Sequence, residues 1–323
     1  MNAKRSKQPS TGRRTNAAPV GPPLIREILV TTDFSGQALP AVRYALTLGR
    51  KVGAKITLLH VVETASWLSG MELVVLARTD AEVASLARTK LEALANREAK
   101  SSGVVTTVVR SGKPFHEIVV AAGEREVDLI VIATHGHTGL KRAWIGSTAE
   151  RVVRHAQCPV LTVPTRGSTK RTGAAGRFRL KRIVVPIDFS SLSKDAVPYA
   201  TLLAKQFGAE ILLLHVVERF PIDAILGRGL MNEVTVPLMK QAEVNLEQMA
   251  TELAQSTGVK TSAIVRDGSP FENICLAAKS LNADLIVLTT HGYTALKHVW
   301  LGSTAERVVR QAPCPVLVVR ELK

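Results

Sequence analysis

Residues 135–163 read HGHTGLKRAWIGSTAERVVRHAQCPVLTV, and residues 291–319 read HGYTALKHVWLGSTAERVVRQAPCPVLVV. The run GSTAERVVR, at 146–154 and 302–310, is identical in both. Upstream, ILVTTDFS (28–35) matches IVVPIDFS (183–190), ITLLHVVE (56–63) matches ILLLHVVE (211–218), VVRSGKPFHEI (108–118) matches IVRDGSPFENI (264–274), and DLIVIATHG (128–136) matches DLIVLTTHG (284–292). The offset is 155 residues early (28 to 183) and 156 late (135 to 291), so order and spacing are kept apart from one inserted residue. A period of this length is far beyond the roughly 20–50 residues of a solenoid unit and is that of a whole domain. The chain is one domain written twice.

Within one copy the pattern alternates strand and helix. Short β-branched runs (27–32 and 182–187) end at Asp33 and Asp188, and the turn Asp-Phe-Ser follows, with Ser35 or Ser190 placed to cap the next helix. That helix carries an apolar stripe and stops at Gly53 or Gly208, as left-handed C-caps do. ITLLHVV and ILLLHVV are nearly unbroken apolar strands, the mark of strands covered on both faces. A divergent segment (64–102 and 219–257) ends in a long amphipathic helix, and Pro114 and Pro270 open the helix after the third strand. The order βαβαβαβαβ predicts α/β domains, each a Rossmann-like, doubly wound sheet of five parallel strands flanked by helices.

Composition narrows the function classes. A hydrophobic content of 46% with 21% charged residues is that of a globular chain. No apolar run approaches the roughly 18 residues of a membrane span, and the N-terminus lacks the apolar core of a signal peptide, so no membrane partner and a cytoplasmic location are expected. The net charge of +15 is concentrated in two stretches at the domains' leading edges: residues 1–26 hold six cations and no acid, and 165–182 hold seven and no acid. These segments read as a disordered basic tail (1–23) and a basic linker (166–178) around domains at 24–165 and 179–321, and nucleic acid is not expected as the main partner. Cys158, Cys275 and Cys314 show no metal-site spacing and read as small buried apolar residues.

In a doubly wound sheet, ligands bind at the carboxyl ends of the strands, near the switch point. Three repeated features fall there: Asp33 and Asp188 after strand one, Val61 and Val216 at the end of strand two, and a glycine loop after strand four. The loop runs from Gly136 to Gly146 and from Gly292 to Gly302, with nine residues between, and then opens a helix at Ser147-Thr148 or Ser303-Thr304. Free amides and the positive end of the helix dipole make that an anion site, with Lys141, Arg142, Lys297 and His298 inside the loops. The P-loop signature is absent, as is G-x-G-x-x-G after strand one. His60 and His215, and His135 and His291, recur at strand ends, where a half-buried hydrogen-bonded histidine is commonplace; His137 is matched only by Tyr293, which argues against a metal pair. No catalytic triad or nucleophile elbow stands out, and no catalytic residue or metal ligand is assigned.

These blocks resemble the universal stress protein family in its tandem two-domain form. The resemblance is carried by x-D-F-S at strand one, LLHVV at strand two and H-G-x9-G-S-T-x-E-R-V-V-R at the end, and spans nearly all of 24–165 and 179–321. It implies the adenine nucleotide alpha hydrolase-like fold and ATP, with Mg2+, as ligand. Asp33 and Asp188, with Thr32, would meet the nucleoside and the backbones of Val61 and Val216 the adenine. Gly136, Gly146, Ser147 and Thr148, and Gly292, Gly302, Ser303 and Thr304, would hold ribose and phosphates. The family pattern G-x2-G-x9-G-(S/T) has its first glycine replaced by Ala133 and by Thr289, and Ile187 stands where copy one has Thr32. Domain one is therefore expected to bind better than domain two.

The function expected is an adenine-nucleotide switch or adaptor in the stress response, with slow hydrolysis at most. The alternative, motivated by Ala133 and Thr289, is a stress scaffold that binds no nucleotide and works through protein contacts. The partners expected are adenine nucleotide, an unidentified protein and the other half of the chain. The strands PVLTV and PVLVV would join the two halves as a pseudo-twofold pair, a homodimer being the other use of that edge.

Overall fold

The computed structural model describes residues 25–63, 80–99, 105–136, 146–165, 180–218, 223–290 and 302–320. The first half runs β1 (Glu27–Thr31), α1 (Leu39–Val52), β2 (Lys55–Val62), α2 (Asp80–Glu98), β3 (Val105–Ser111), α3 (Pro114–Glu124), β4 (Leu129–Ala133), α4 (Ser147–His155) and β5 (Val160–Val163). The second half repeats it as β6 (Arg182–Pro186), a one-turn helix α5 (Ser191–Lys194), α6 (Ala196–Phe207), β7 (Glu210–Val217), α7 (Asp223–Thr257), β8 (Thr261–Asp267), α8 (Pro270–Ser280), β9 (Leu285–Thr289), α9 (Ser303–Gln311) and β10 (Val316–Val319). The tail, the linker and the front of the divergent segment expected at 64–79 lie outside the described residues.

Each half is a five-stranded parallel sheet, and the two are fused into one ten-stranded sheet ordered β3-β2-β1-β4-β5-β10-β9-β6-β7-β8. β5 and β10 pair antiparallel, with Leu161 opposite Leu317. The order reads the same from either edge, so a pseudo-twofold axis passes through the seam. The edge strands of the two halves thus cover each other, as the sequence predicts.

Side chains alternate across the strands with period two. Ile28, Val30, Ile56 and Leu58 point to the layer of α1, α2, α6 and α7. Leu29, Leu59, Ile130 and Val160 point to the layer of α3, α4, α8 and α9. Both cores run through the seam without a break, and β4 is buried along its whole length. Helices α1 and α6 stop at Gly53 (φ 74°) and Gly208 (φ 65°), left-handed positions where a Cβ costs about 1 kcal/mol.

Four charges cross the seam. Arg154 pairs with Glu150 one turn back (2.8 Å) and with Glu306 (3.3 Å); Arg310 pairs with Glu306 (2.6 Å) and approaches Glu150 (3.9 Å). Arg320, beyond β10, donates to the carbonyl oxygens of Val153 and Arg154 at the end of α4. On the other layer Gln206 donates to the Lys51 carbonyl oxygen (2.5 Å).

Candidate functional site

The Asp-Phe-Ser turn after β1 is built from its own side chains. Asp33 Oδ1 accepts from the Ser35 amide (2.9 Å) and the Ser35 hydroxyl (2.6 Å), and Ser35 Oγ accepts from the Ala38 amide (3.1 Å). Ser35 therefore closes the turn before α1 rather than capping α1 itself, whose N-cap is Ala38. In copy two Ser190 does cap a helix, the single turn α5. Phe34 takes a left-handed φ of 64°, a cost for a residue with a Cβ. Its ring is thereby laid against the His60 ring at 4.2 Å between centroids. His60 Nδ1 donates to the Thr32 carbonyl oxygen (2.8 Å), which leaves Nε2 as the acceptor of the neutral ring. Burial pushes the His60 pKa below the ordinary imidazole range, against the pull of the Thr32 carbonyl and Asp33, and Lys90 adds to the fall. A neutral, stacked, hydrogen-bonded ring is a clamp on the turn. Copy two repeats it with Phe189 (φ 64°), a ring distance of 4.6 Å to His215, and His215 Nδ1 on the Ile187 carbonyl (2.7 Å).

Strand lengths leave an open backbone edge at Val61. β1 ends at Thr31, opposite Leu59, while β2 runs on to Val62. Leu59 O accepts from Thr32 on the β1 side, and Val62 O accepts from Gly112 on the β3 side. Period two therefore turns the Val61 backbone to the side where β1 has stopped. The same pattern, Ile187 on Leu214 and Gly268 on Val217, turns Val216 the same way.

The glycine loop starts against the aspartate. A Cβ on Gly136 would lie 2.5 Å from Asp33 Oδ2, so any larger residue there would have to displace the Asp33 carboxylate. At the far end Gly146 is the N-cap of α4, with φ −59° and ψ 140°. Its amide donates to the Thr134 carbonyl (2.7 Å), as that of Gly302 does to Thr290 (2.7 Å). That bond fixes the loop's exit to the end of β4. The amides of Ser147, Thr148 and Ala149, in the first turn of α4, have no acceptor within the helix and lie at the positive end of its dipole.

All eight predicted residues of copy one, Thr32, Asp33, Val61, Ala133, Gly136, Gly146, Ser147 and Thr148, line one cleft of about 490 Å³ at the strand ends. In copy two Asp188, Val216, Thr289, Gly302, Ser303 and Thr304 stand at the matching ends of β6, β7, β9 and α9. Gly292, His291 and the loop cations Lys141, Arg142, Lys297 and His298 lie outside the described residues, as do His137 and Tyr293. The reading of the sequence missed the wall supplied by α2. Val83, Leu86, Ala87 and Lys90 line the cleft at helical spacing. The 3–4–7 spacing was the available signal, in a segment where the two copies diverge.

Burial raises the Cys158 and Cys275 thiols to about 11, so neither is a thiolate near neutral pH. Among the described residues no group of three or more His, Cys, Asp or Glu could hold a metal ion, and no helix is long and apolar enough to cross a membrane.

The model of the universal stress protein family matches residues 25–164 and again 179–320. Universal stress protein MJ0531 of Methanocaldococcus jannaschii is 36% identical over 148 residues, covering 46% of this chain and 86% of that protein. A universal stress protein of Mycolicibacterium smegmatis is 28% identical over 301 residues, 91% of this chain and 96% of that one. The crystal structure of a universal stress protein from Archaeoglobus fulgidus superposes with a TM-score of 0.66 at 22% identity, covering 91% of this chain and 96% of that one. The doubled architecture and the doubled family match agree, and the chain belongs to the universal stress protein family, with two of its domains in tandem.

Proposed function

We propose that the chain binds adenine nucleotide, ATP with Mg2+ in the first instance, and acts in the stress response as a nucleotide-dependent switch or adaptor. The observation that carries this reading is the domain-one cleft, where a carboxylate (Asp33), an open strand edge (Val61) and the first turn of α4 face one space. In this reading the Val61 backbone meets the adenine edge, Asp33 the nucleoside, and the amides and hydroxyls of Ser147 and Thr148 the phosphates. The ion would be carried largely by the phosphates, as Mg2+ usually is. With His60 committed to the turn, the described part of the cleft offers positioning and charge stabilisation rather than an evident general base. Hydrolysis is then slow at most. Domain one binds more tightly than domain two, because Thr289 puts a branched side chain where domain one has Ala133, and Ile187 replaces the hydroxyl of Thr32.

The test is a calorimetric titration of the full chain with ATP, beside Gly146→Asp and Gly302→Asp. A Cβ at Gly146 would meet the Thr134 carbonyl oxygen at 3.4 Å and the His135 Cα at 3.9 Å, both ordinary contacts, and Asp is a favoured N-cap residue. The fold should therefore stand while the new carboxylate opposes phosphate. Gly146→Asp should weaken the tighter site by about a hundredfold, the scale of two charge-assisted hydrogen bonds lost, and Gly302→Asp should remove only the weaker one. Absence of ATP uptake by the unmodified chain would overturn the reading, and equal losses would overturn the asymmetry.

A further inference from the structure

The cleft of domain one does not close at its nucleoside end. Thr32, Phe34 and Lys90 line it and also line a second groove of about 430 Å³, which descends between the β1–α1 turn and α2. Leu39 and Leu94 contribute its apolar surface, and its cations are Lys90 and Arg97. These two are seven residues apart, so they share one face of α2 about 10 Å from each other along the axis. No carboxylate is among the described residues that line the groove. Arg97 is paired with the neighbouring Glu98 (3.0 Å), whereas no ion pair to Lys90 occurs among the described residues. The charge of Lys90 is felt at the His60 ring, on the floor of the turn.

The cleft therefore carries positive charge at two places, the first turn of α4 and Lys90, with the carboxylates of Asp33 and Glu63 also in its lining and only the groove beyond Lys90 free of carboxylates among the described residues. A 5′-phosphate chain held at Ser147 and Thr148 leaves the second place unmatched, since base and sugar lie between. Copy two is built otherwise. The buried faces of α2 and α7 align Ala87 with Ala242, Leu91 with Leu246 and Ala95 with Ala250. That register puts Asn245 at the place of Lys90 and Glu252 at the place of Arg97. Asn245 accepts from Gln241 (2.9 Å) and Glu252 from Gln248 (2.8 Å).

We propose that domain one selects an adenosine nucleotide bearing a second anionic group on its ribose, with Lys90 as the specificity-determining residue and Arg97 extending the same positive groove. This rests on the nucleotide reading above and adds to it which nucleotides domain one prefers. The test compares AMP with adenosine 2′,5′-bisphosphate and adenosine 3′,5′-bisphosphate, titrated into the full chain at low salt. One of the bisphosphates should bind about tenfold more tightly than AMP, the worth of one charge-assisted contact. Lys90→Gln should bring that ratio close to one, and Arg97→Gln should lower it less. A ratio, unlike a single affinity, is not moved by a general loosening of the fold. If AMP binds and neither bisphosphate is preferred, or if the preference survives Lys90→Gln, this inference fails and the nucleotide reading stands. If none of the three binds while ATP does, this inference fails and the nucleotide reading stands; if ATP does not bind either, both fail.

Discussion

The turn that carries the aspartate is held by a hydroxyl in both copies, but not by the same hydroxyl. In copy one Thr32 Oγ1 accepts from the Phe34 amide (3.1 Å), and position 38 is alanine. In copy two the residue at the threonine's place is Ile187, and Ser193, at the place of Ala38, accepts from the Asp188 amide (3.3 Å). All four side chains are buried. The hydroxyl has moved from the strand end to the helix start while the aspartate's bonds to its serine are unchanged, at 2.6 Å to the hydroxyl in each copy. The hydroxyl serves a different amide of the turn in each copy, that of the residue after the aspartate in copy one and that of the aspartate itself in copy two. What also differs is the wall of the cleft, hydroxyl-bearing in one copy and aliphatic in the other.

The comparison can be broken most directly at the seam, where the copies should be equal. Leu161 and Leu317 face each other across it, each 2% exposed. Leu161→Ala and Leu317→Ala should each cost about 3 kcal/mol in urea unfolding. Matching values would support the pseudo-twofold, and a gap of more than about 1 kcal/mol, beyond ordinary site-to-site scatter, would break it. Next in size is the exchanged hydroxyl. Thr32→Ile alone, or Ser193→Ala alone, orphans an amide and should cost about 1–2 kcal/mol in thermal unfolding. Thr32→Ile combined with Ala38→Ser installs copy two's arrangement in copy one, in which the new hydroxyl takes the Asp33 amide rather than that of Phe34, and should recover part of the loss; a double variant no more stable than Thr32→Ile would sink the exchange. Smaller again are the ion pairs. Glu306→Gln and Glu150→Gln should each cost under about 1 kcal/mol by the same assay. The two losses should be alike and should fade near about 1 M salt.

The smallest effect belongs to copy one and is read from pH. Burial places the folded pKa of His60 below its unfolded value, so the unfolded chain takes up the proton first. Stability that is whole above about pH 6.5 then falls as the pH drops toward the folded pKa. His60→Gln should flatten that part of the curve of unfolding midpoint against pH, and an unchanged slope would remove His60 as its source.

Much of this was written in the chain. The repeat, the parallel order and the pairing of PVLTV with PVLVV follow from apolar runs and from an edge that needs covering. The cleft residues were legible because glycine, aspartate and a Ser-Thr helix start each carry their chemistry on their face. Three things were not. The destination of the Gly146 amide depends on where the Thr134 carbonyl ends up, which no local pattern encodes. The α2 wall lies in the segment where the copies differ most, so the repeat could not point to it. The identity of GSTAERVVR reads as the demand of an anion site alone, yet its Glu150 and Arg154 serve the seam. Two unrelated pressures fall on one nine-residue run, and periodicity cannot separate them.

Because the central strand pair runs antiparallel, the carboxyl ends of the first five strands and of the last five emerge on opposite rims of the slab. The two sets of strand ends face away from each other, and one small molecule cannot span both. A protein that docks over one rim leaves the other open to solvent, and the chain has two separately addressable ends.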